Sequence, residues 1–496
     1  MQYLKKIWPA PLHCFLVPLF FIIHNYVDFL GLTDFSKLSW SIAVWLTAPL
    51  LLILVYRLLL KDLQKASLIT TVLLCIYFFT GPLIKEFKDL PYLHFLFKYS
   101  VLIPLLFILI TYIHIQLFKN KKNFYTTHLF LSITFLSLLA FDIIRLAGIG
   151  PEKLKLRNSL QITNDVKLKQ MNISTELKPD IYLLIFDEHP SSKSLKTLFN
   201  YDNTALDSSL TNLGFKVSSN ATSQFPYTVP SLYSLLGLNE FHSNNTADFT
   251  FKELNAVGDN LTDNKLIPFL QTNGYNFINA SIFDVKKKPS LVRNYLDWNT
   301  PEDMIRKQTF FNRIKEDLSW NYTNLYKRKF IGDLNSTIKK EVAYTKEIVH
   351  LIDSSLLLQA NKPKFFYGHF FLPHLPYKFN REGNVIHWTY ETYLNDYSSN
   401  ETYLSQLEYT RKFIINLTAK IREGNQRPAI IIVQGDHGYR MFDLNKYSVD
   451  NKYKILSAIY FPDQDYSQIS DSLFSPNTFR IILNKYFNQQ IPLLKK

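Results

Sequence analysis

The fragment FPYTVPSLYSLLG, Phe225 to Gly237, sets Thr228 two residues ahead of a proline and at the start of an apolar, helix-like run. A threonine there can cap the helix, its oxygen accepting an N–H of a helix that begins at Pro230 or Ser231. The same hydroxyl can attack phosphorus. The two roles are compatible, because a helix N-terminus presents N–H groups and a dipole that favour a phosphate beside it. A threonine hydroxyl ionises far above neutrality and needs activation, for which metal coordination is one route. Asp187, Asp436 and His437 supply two hard oxygens and an imidazole, and with Thr228 they would complete a four-ligand site for one divalent ion, Zn or Mn. Such an ion would keep the nucleophile deprotonated and neutralise charge on the phosphoryl oxygens. His374 could donate to a non-bridging oxygen or to the leaving group.

These residues must be carried to one place by the elements that precede them. The runs 181–186 (IYLLIF), 364–371 (KFFYGHFF) and 429–434 (AIIIVQ) are continuously apolar, the mark of strands buried on both faces of a parallel sheet in an α/β domain. The first runs into Asp187-Glu188-His189-Pro190, the second into Leu372-Pro373-His374, the third into Gly435-Asp436-His437-Gly438. Ligands of open α/β sheets bind beyond the carboxyl ends of the strands, so one shared site is expected there. Helices are expected over 231–238 and around 335–357. Taken singly, each motif has a plainer reading: an aspartate after a strand caps a helix, and Asp-His-Gly forms a turn in which glycine permits positive φ. His369 could be a second substrate contact or a packed strand histidine, and Arg440 could meet a phosphate or face solvent.

The first third of the chain has a different character. Of 496 residues, 47% are hydrophobic and 15% aromatic, and five stretches have the length and apolarity of bilayer spans: 11–31, 39–60, 66–84, 94–117 and 126–148. Lys5 and Lys6, then Arg57, Lys61 and Lys65, then Lys119, Lys121 and Lys122 all fall on one side of such a bundle. Positive loops stay cytoplasmic, so the N-terminus is expected in the cytoplasm and everything after about Gly150 outside it. No cleavage site follows the first span, which reads as a retained anchor. Asp142 and Arg145, three apart in the fifth span, could pair as an interfacial salt bridge or take part in admitting substrate. The net charge of +14 is spread over both parts with no arginine-rich patch, which argues for a surface near anionic lipid and against nucleic acid. The only cysteines, Cys14 and Cys75, lie in apolar runs, so the outer part is not a disulfide scaffold. The expected organisation is a five-helix transmembrane domain (1–150), a juxtamembrane linker (151–178) and an extracytoplasmic domain (179–496).

In order along the chain, KPDIYLLIFDE, FPYTVPSLYSLLG, FFYGHFFLPHLPY, IIIVQGDHGYR and YKILSAIYFP with SPNTFRIILNKYF resemble the alkaline phosphatase superfamily. The likeness is to its membrane-anchored sulfatase-like branch, which includes lipoteichoic acid synthases and lipid A phosphoethanolamine transferases. The resemblance implies an α/β sulfatase-like domain with a mostly parallel central sheet behind the transmembrane bundle, in a bacterial cytoplasmic membrane. It places Asp187 as the first metal-binding acid, Thr228 as the nucleophile, Asp436 and His437 as the metal-binding pair, and His374 on the transferred group. Either Asp187 or the adjacent Glu188 could be the principal acid ligand. Sulfatases carry an oxidisable Cys or Ser in a C/S-x-P-x-R motif, whereas this chain has Thr228-Val229-Pro230-Ser231-Leu232. Threonine is the nucleophile of the phosphotransferases. The implied activity is transfer of a phosphoglycerol- or phosphoethanolamine-type headgroup from a membrane phospholipid to an envelope glycan or lipid acceptor. A membrane-anchored ester hydrolase and a non-catalytic binding member are the alternatives.

Overall fold

A computed structural model of the protein describes residues 11–28, 39–87, 90, 92, 94–120, 123–159, 162–163, 166–169, 178–238, 240–241, 257–258, 261–285, 288–295, 305–318, 324–357 and 362–496. Two compact units emerge, one of Met1–Leu154 with Trp298–Tyr326, the other of Lys155–Asp297 with Lys327–Lys496. Residues 305–318, expected in the outer domain, pack with the helices of the first unit, and the boundary between the units falls at Leu154–Lys155, inside the expected linker. Ile305 is buried in the apolar core of that unit, and the Tyr99 hydroxyl donates to Asp317 at 2.7 Å. Gly81 makes room for the approach, since a Cβ there would lie 2.0 Å from the Gln308 carbonyl oxygen.

The first unit holds helices α1 (Leu12–Asp28), α2 (Ser39–Leu60), α3 (Leu63–Phe87), α4 (Tyr99–Lys119) and most of α5 (Tyr125–Ser159), which passes into the second unit after Leu154. Four apolar stretches are long enough to cross a membrane: Ser41–Leu60, Leu63–Ile84, Tyr99–Lys119 and Tyr125–Ala147. The expected first span is shorter. Its apolar part is Leu12–Val27, about 24 Å of helix against a hydrocarbon core of about 30 Å, and residues 29–31 of that expectation lie outside those described. The α3 span is 56% buried, against 11%, 6% and 17% for those of α2, α4 and α5, so α3 is the one the others surround. Cys14, Val17 and Phe21 of α1 pack with Leu74 and Phe78 of α3.

The second unit is built on a sheet of β1 (Asp180–Phe186), β2 (Lys216–Val217), β3 (Asn276–Ala280), β4 (Lys364–Phe370), β5 (Ala429–Gly435) and β6 (Ser457–Tyr460), in the spatial order β2-β6-β5-β1-β4-β3. β3, β4, β1 and β5 run parallel, and β6 and β2 close one edge antiparallel. Every residue of β1, β4 and β5 is buried, as their unbroken apolar runs require. Odd-numbered Ile181, Leu183 and Ile185 face a core shared with α6 (Thr228–Gly237) and α9 (Asn477–Tyr486). Tyr182, Leu184 and Phe186 face the opposite core, covered by α7 (Asn324–Leu357) and α8 (Asn400–Gly424). The sheet is thus covered on both sides, and in its register Phe186 sits opposite both Phe370 and Gly435. The three central strands end level, so the residues after them emerge side by side.

Candidate metal and transfer site

Asp187 is the first residue beyond β1, and its N–H donates to the Phe370 carbonyl at the end of β4. Asp436 follows β5, and the backbone N–H groups of Glu188 and His437 both donate to its Oδ1, at 3.0 and 2.9 Å. That leaves Oδ2 of Asp436 buried without a hydrogen-bond partner, and Oδ1 of Asp187 is in the same condition. His437 is fixed by its Nδ1–H donating to the Gly438 carbonyl at 2.9 Å, which leaves Nε2 facing the two carboxylates. From Nε2 the distances are 3.5 Å to Asp187 Oδ1, 3.6 Å to Asp436 Oδ2 and 3.5 Å to Thr228 Oγ1.

Those separations test whether a metal fits. Zinc–oxygen and zinc–nitrogen bonds of about 2.0–2.2 Å place tetrahedral ligands about 3.3–3.6 Å apart. All three measured edges lie in or at the limit of that range. Two buried, unpartnered carboxylate oxygens would be costly in a site with no cation, because desolvating charge without a partner is expensive. Asp187, Asp436 and His437 offer ligand atoms within 4.8 Å of one another, the group among the described residues with that property. The donor set therefore fits one divalent cation. Burial opposes ionisation of Asp187, but the imidazoles of His374, His369 and His437 outweigh it and hold the carboxyl well below its usual range.

Helix α6 begins at Thr228 itself, with Tyr227 in the extended flanking position. The expected capping role is thereby corrected: Thr228 is the first helical residue and does not precede a helix starting at Pro230 or Ser231. The N–H of Ser231 is satisfied by Tyr227 O at 3.1 Å, while N–H groups at the very start of a helix have no acceptor within it. The Thr228 hydroxyl therefore stands at the positive end of a helix and within reach of His437.

Glu188 does not join the carboxylate pair. It sits at φ 60°, a left-handed conformation that is costly for a side chain with a Cβ, and its carboxylate turns instead to Arg440 and His374. Oε1 accepts from the Arg440 backbone N–H at 3.0 Å and lies 3.5 Å from Nε, and Oε2 is 3.8 Å from His374 Nε2. Arg440 also lies over the Tyr227 ring, 5.6 Å from its centroid. His374 Nδ1 donates to the Leu375 carbonyl. Burial would lower the His374 pKa, but Asp187 and Glu188 outweigh it and the imidazole is raised above its ordinary value. His369 is fully buried at the end of β4, with Nε2 3.6 Å from Asp187 Oδ2 and both ring nitrogens without a hydrogen bond. It belongs to the wall of this site as well as to the strand.

Glycines 435 and 438 flank the Asp-His pair for reasons of space. A Cβ on Gly435 would lie 2.4 Å from the His189 carbonyl oxygen, and one on Gly438 would lie 2.3 Å from Asn451 O and 2.7 Å from Lys454 O. Gly438 is not among the residues with positive φ, so the turn expected from Asp-His-Gly is a close backbone approach instead. Sequence reasoning missed the residues that hold the His374 loop. Gln406 of α8 accepts from the N–H groups of Lys378 and Phe379 and donates to the carbonyls of Pro373 and His374. Lys378, fully buried, donates to Phe371 O at 2.6 Å and pairs with Glu341 at 2.8 Å. A lone glutamine on an amphipathic helix carries no signal of such a role.

Comparison with known proteins gives three kinds of result. None of the curated proteins matches this chain. Among solved structures, the integral membrane protein lipooligosaccharide phosphoethanolamine transferase A from Neisseria meningitidis is 12% identical, with 95% of each chain covered and a TM-score of 0.38. The C-terminal periplasmic domain of EptC from Escherichia coli, in complex with Zn, is 13% identical over 64% of this chain and 86% of that one, with a TM-score of 0.39. The corresponding domain of phosphoethanolamine transferase EptC from Campylobacter jejuni is 11% identical over 65% and 94%, with a TM-score of 0.37. The family described as Sulfatase matches residues 188–464, more than half of the chain, and the protein belongs to that family.

Proposed function

We propose that the protein is a membrane-anchored, metal-dependent phosphotransferase that moves a phosphorus-bearing headgroup from a membrane phospholipid to an envelope acceptor. The observation that carries this reading is the position of Thr228: a hydroxyl at the N-terminus of α6, 3.5 Å from His437 Nε2, beside two buried carboxylate oxygens with no other partner. Asp187, Asp436, His437 and Thr228 would hold one Zn or Mn ion. That ion would supply a deprotonated threonine oxygen and neutralise phosphoryl charge. Thr228 Oγ1 attacks phosphorus, the bond from phosphorus to the diacylglycerol oxygen breaks, and the headgroup phosphate remains esterified to Thr228. N–H groups of the first turn of α6 hold its non-bridging oxygens. His374, a raised imidazole beside Glu188, gives its proton to the leaving alkoxide. The acceptor hydroxyl then gives its proton to the now neutral His374 and attacks phosphorus, and the bond from phosphorus to Thr228 Oγ1 breaks.

The helical unit supports this reading because the donor and its diacylglycerol product both stay in a bilayer. The four apolar spans, with Arg57, Lys61 and Lys65 and then Lys119 on one side of them, support a bacterial cytoplasmic membrane with the catalytic domain outside, and α1 crossing as a short fifth span would put the N-terminus inside. The threonine in place of a formylglycine precursor supports phosphoryl over sulfuryl chemistry.

Intact-mass spectrometry of the full chain after incubation with phosphatidylglycerol or phosphatidylethanolamine tests the proposal. The expected result is one added phosphoglycerol or phosphoethanolamine group, mapped to Thr228 and absent from Thr228→Ala. Turnover retained by Thr228→Ala would overturn the assignment. Decay of the adduct in water at the same rate with and without acceptor would make the protein a hydrolase.

A further inference from the structure

The chain leaves the candidate site at Arg440 and comes back to it at Lys452. At the start the Arg440 N–H donates to Glu188 Oε1 at 3.0 Å, and at the end the Lys452 carbonyl accepts from the Gly438 N–H at 2.8 Å. Residues 441–451 (MFDLNKYSVDN) therefore form a closed loop hung from the rim of the site. Its first turn is set by Asp443, whose Oδ1 accepts from the Asn445 N–H at 2.8 Å and whose carbonyl accepts from Lys446 and Tyr447 at 3.1 and 3.0 Å. Phe442 and Tyr447, ring centroids 6.3 Å apart, pack on the core covered by α7 and α8. Asn451 is buried and accepts from the Ser194 hydroxyl at 3.0 Å. These residues are enough to anchor the loop.

Three further apolar side chains have no part in that anchoring. Met441, Leu444 and Val449 are 49%, 55% and 51% exposed. An exposed aliphatic residue standing alone is ordinary, whereas three within nine residues of a loop pinned at both ends to a reactive site mark a surface that meets something apolar. Basic groups accompany them: residues 440–454 carry Arg440, Lys446, Lys452 and Lys454 against Asp443 and Asp450. Lys446 Nζ lies 5.0 Å over the Tyr447 ring and Lys452 Nζ 6.0 Å over that of Phe442, so both stems run along apolar surface and end in a charge. Aliphatic side chains with such lysines beside them complement a phospholipid surface, which offers hydrocarbon and anionic phosphate a few ångströms apart. That surface is always at hand, because the same chain carries four apolar stretches long enough to cross a membrane. The loop also starts beside the nucleophile, since Arg440 lies over the ring of Tyr227, the residue before Thr228.

We propose that loop 441–451 is a lipid-contacting element: Met441, Leu444 and Val449 enter the hydrocarbon edge of a phospholipid surface, and Lys446 and Lys452 meet its phosphates. The element deepens the functional reading above and rests on it for the identity of the lipid as donor. It lets a phospholipid present its phosphorus to the transfer site without its acyl chains passing into water.

The test is photo-crosslinking of the full chain in phosphatidylglycerol–phosphatidylethanolamine vesicles, with p-benzoylphenylalanine in place of Leu444 and the adducts read by mass spectrometry. Leu394, 63% exposed in the same unit, serves as the control position. Phospholipid adducts are expected at position 444 at least about ten-fold above those at position 394. No lipid adduct at 444, or equal adducts at both positions, overturns the proposal. A second measurement uses Met441→Ser, Leu444→Ser and Val449→Ser together, exposed changes that open no core. This variant should transfer from vesicles about ten-fold more slowly, and lose less on short-chain phospholipid dispersed as monomers, which offers no surface. An equal loss on both donors, or none on vesicles, overturns the proposal. Failure of the transfer reading shows separately, as a missing adduct on wild-type Thr228, and leaves the crosslink intact because crosslinking needs no turnover.

Discussion

At Asp436 the two carboxylate oxygens have separate tasks. Oδ1 is occupied by two backbone N–H groups, which fix the side chain, and Oδ2 is left for a cation. Asp436→Asn keeps the shape and one acceptor oxygen but removes the charge. We expect zinc affinity to fall by more than about 100-fold, beyond the 10–100-fold typical of changing an outer partner of a metal ligand. A zinc titration with a competing chelator reads the difference, and circular dichroism should show the fold retained. Gly438 makes a different prediction. Adding a methyl group 2.3 Å from a backbone oxygen forces the chain apart, so Gly438→Ala should lower stability by about 1–3 kcal/mol in thermal denaturation and displace His437 with it. Glu188 was open as a metal ligand from sequence because it neighbours Asp187. The left-handed backbone at Glu188 aims successive carboxylates in different directions, one to the metal group and one to Arg440 and His374.

The elements that carry these residues differ in how visible they are in the sequence. β1, β4 and β5 are central strands covered on both faces, and their unbroken apolar runs gave their positions to within a residue or two. β3 (NFINA) and β6 (SAIY) are short and mixed in polarity, β2 is two residues long, and each owes its pairing to a neighbouring strand rather than to its own composition. The chemistry-bearing residues were legible because they follow the visible strands directly. The support for His374 was not, since Gln406 acts across a separation of more than thirty residues from the loop carbonyls it binds. Gln406→Ala removes a donor and an acceptor from four buried backbone groups. It should cost about 1–3 kcal/mol of stability and slow transfer by loosening His374. If the role is positioning, kcat falls more than KM rises, and a variant that loses stability alone with kcat unchanged would argue against it.

For the molecule as a whole, the apolar runs of the first third stand apart in the sequence from the later α/β pattern, but the packing of residues 305–318 with the helices does not show in it. That segment reads as part of the outer chain because its own composition is mixed; only Gly81, Tyr99 and the core around Ile305 reveal where it packs. The catalytic unit folds around buried carboxylates, so cation binding and stability are linked. A cation at one hundred times its dissociation constant should stabilise the folded protein by about 2.7 kcal/mol. Chelation should therefore lower the unfolding midpoint of the full chain and abolish transfer, and added zinc or manganese should restore both.

The most direct test of the central claim is anomalous diffraction from crystals of the full chain loaded with zinc, measured at the zinc edge. One strong peak is expected within about 2.0–2.3 Å of Asp187 Oδ1, Thr228 Oγ1, Asp436 Oδ2 and His437 Nε2. A peak between Glu188 and His374 instead, or none near Thr228, would contradict the account.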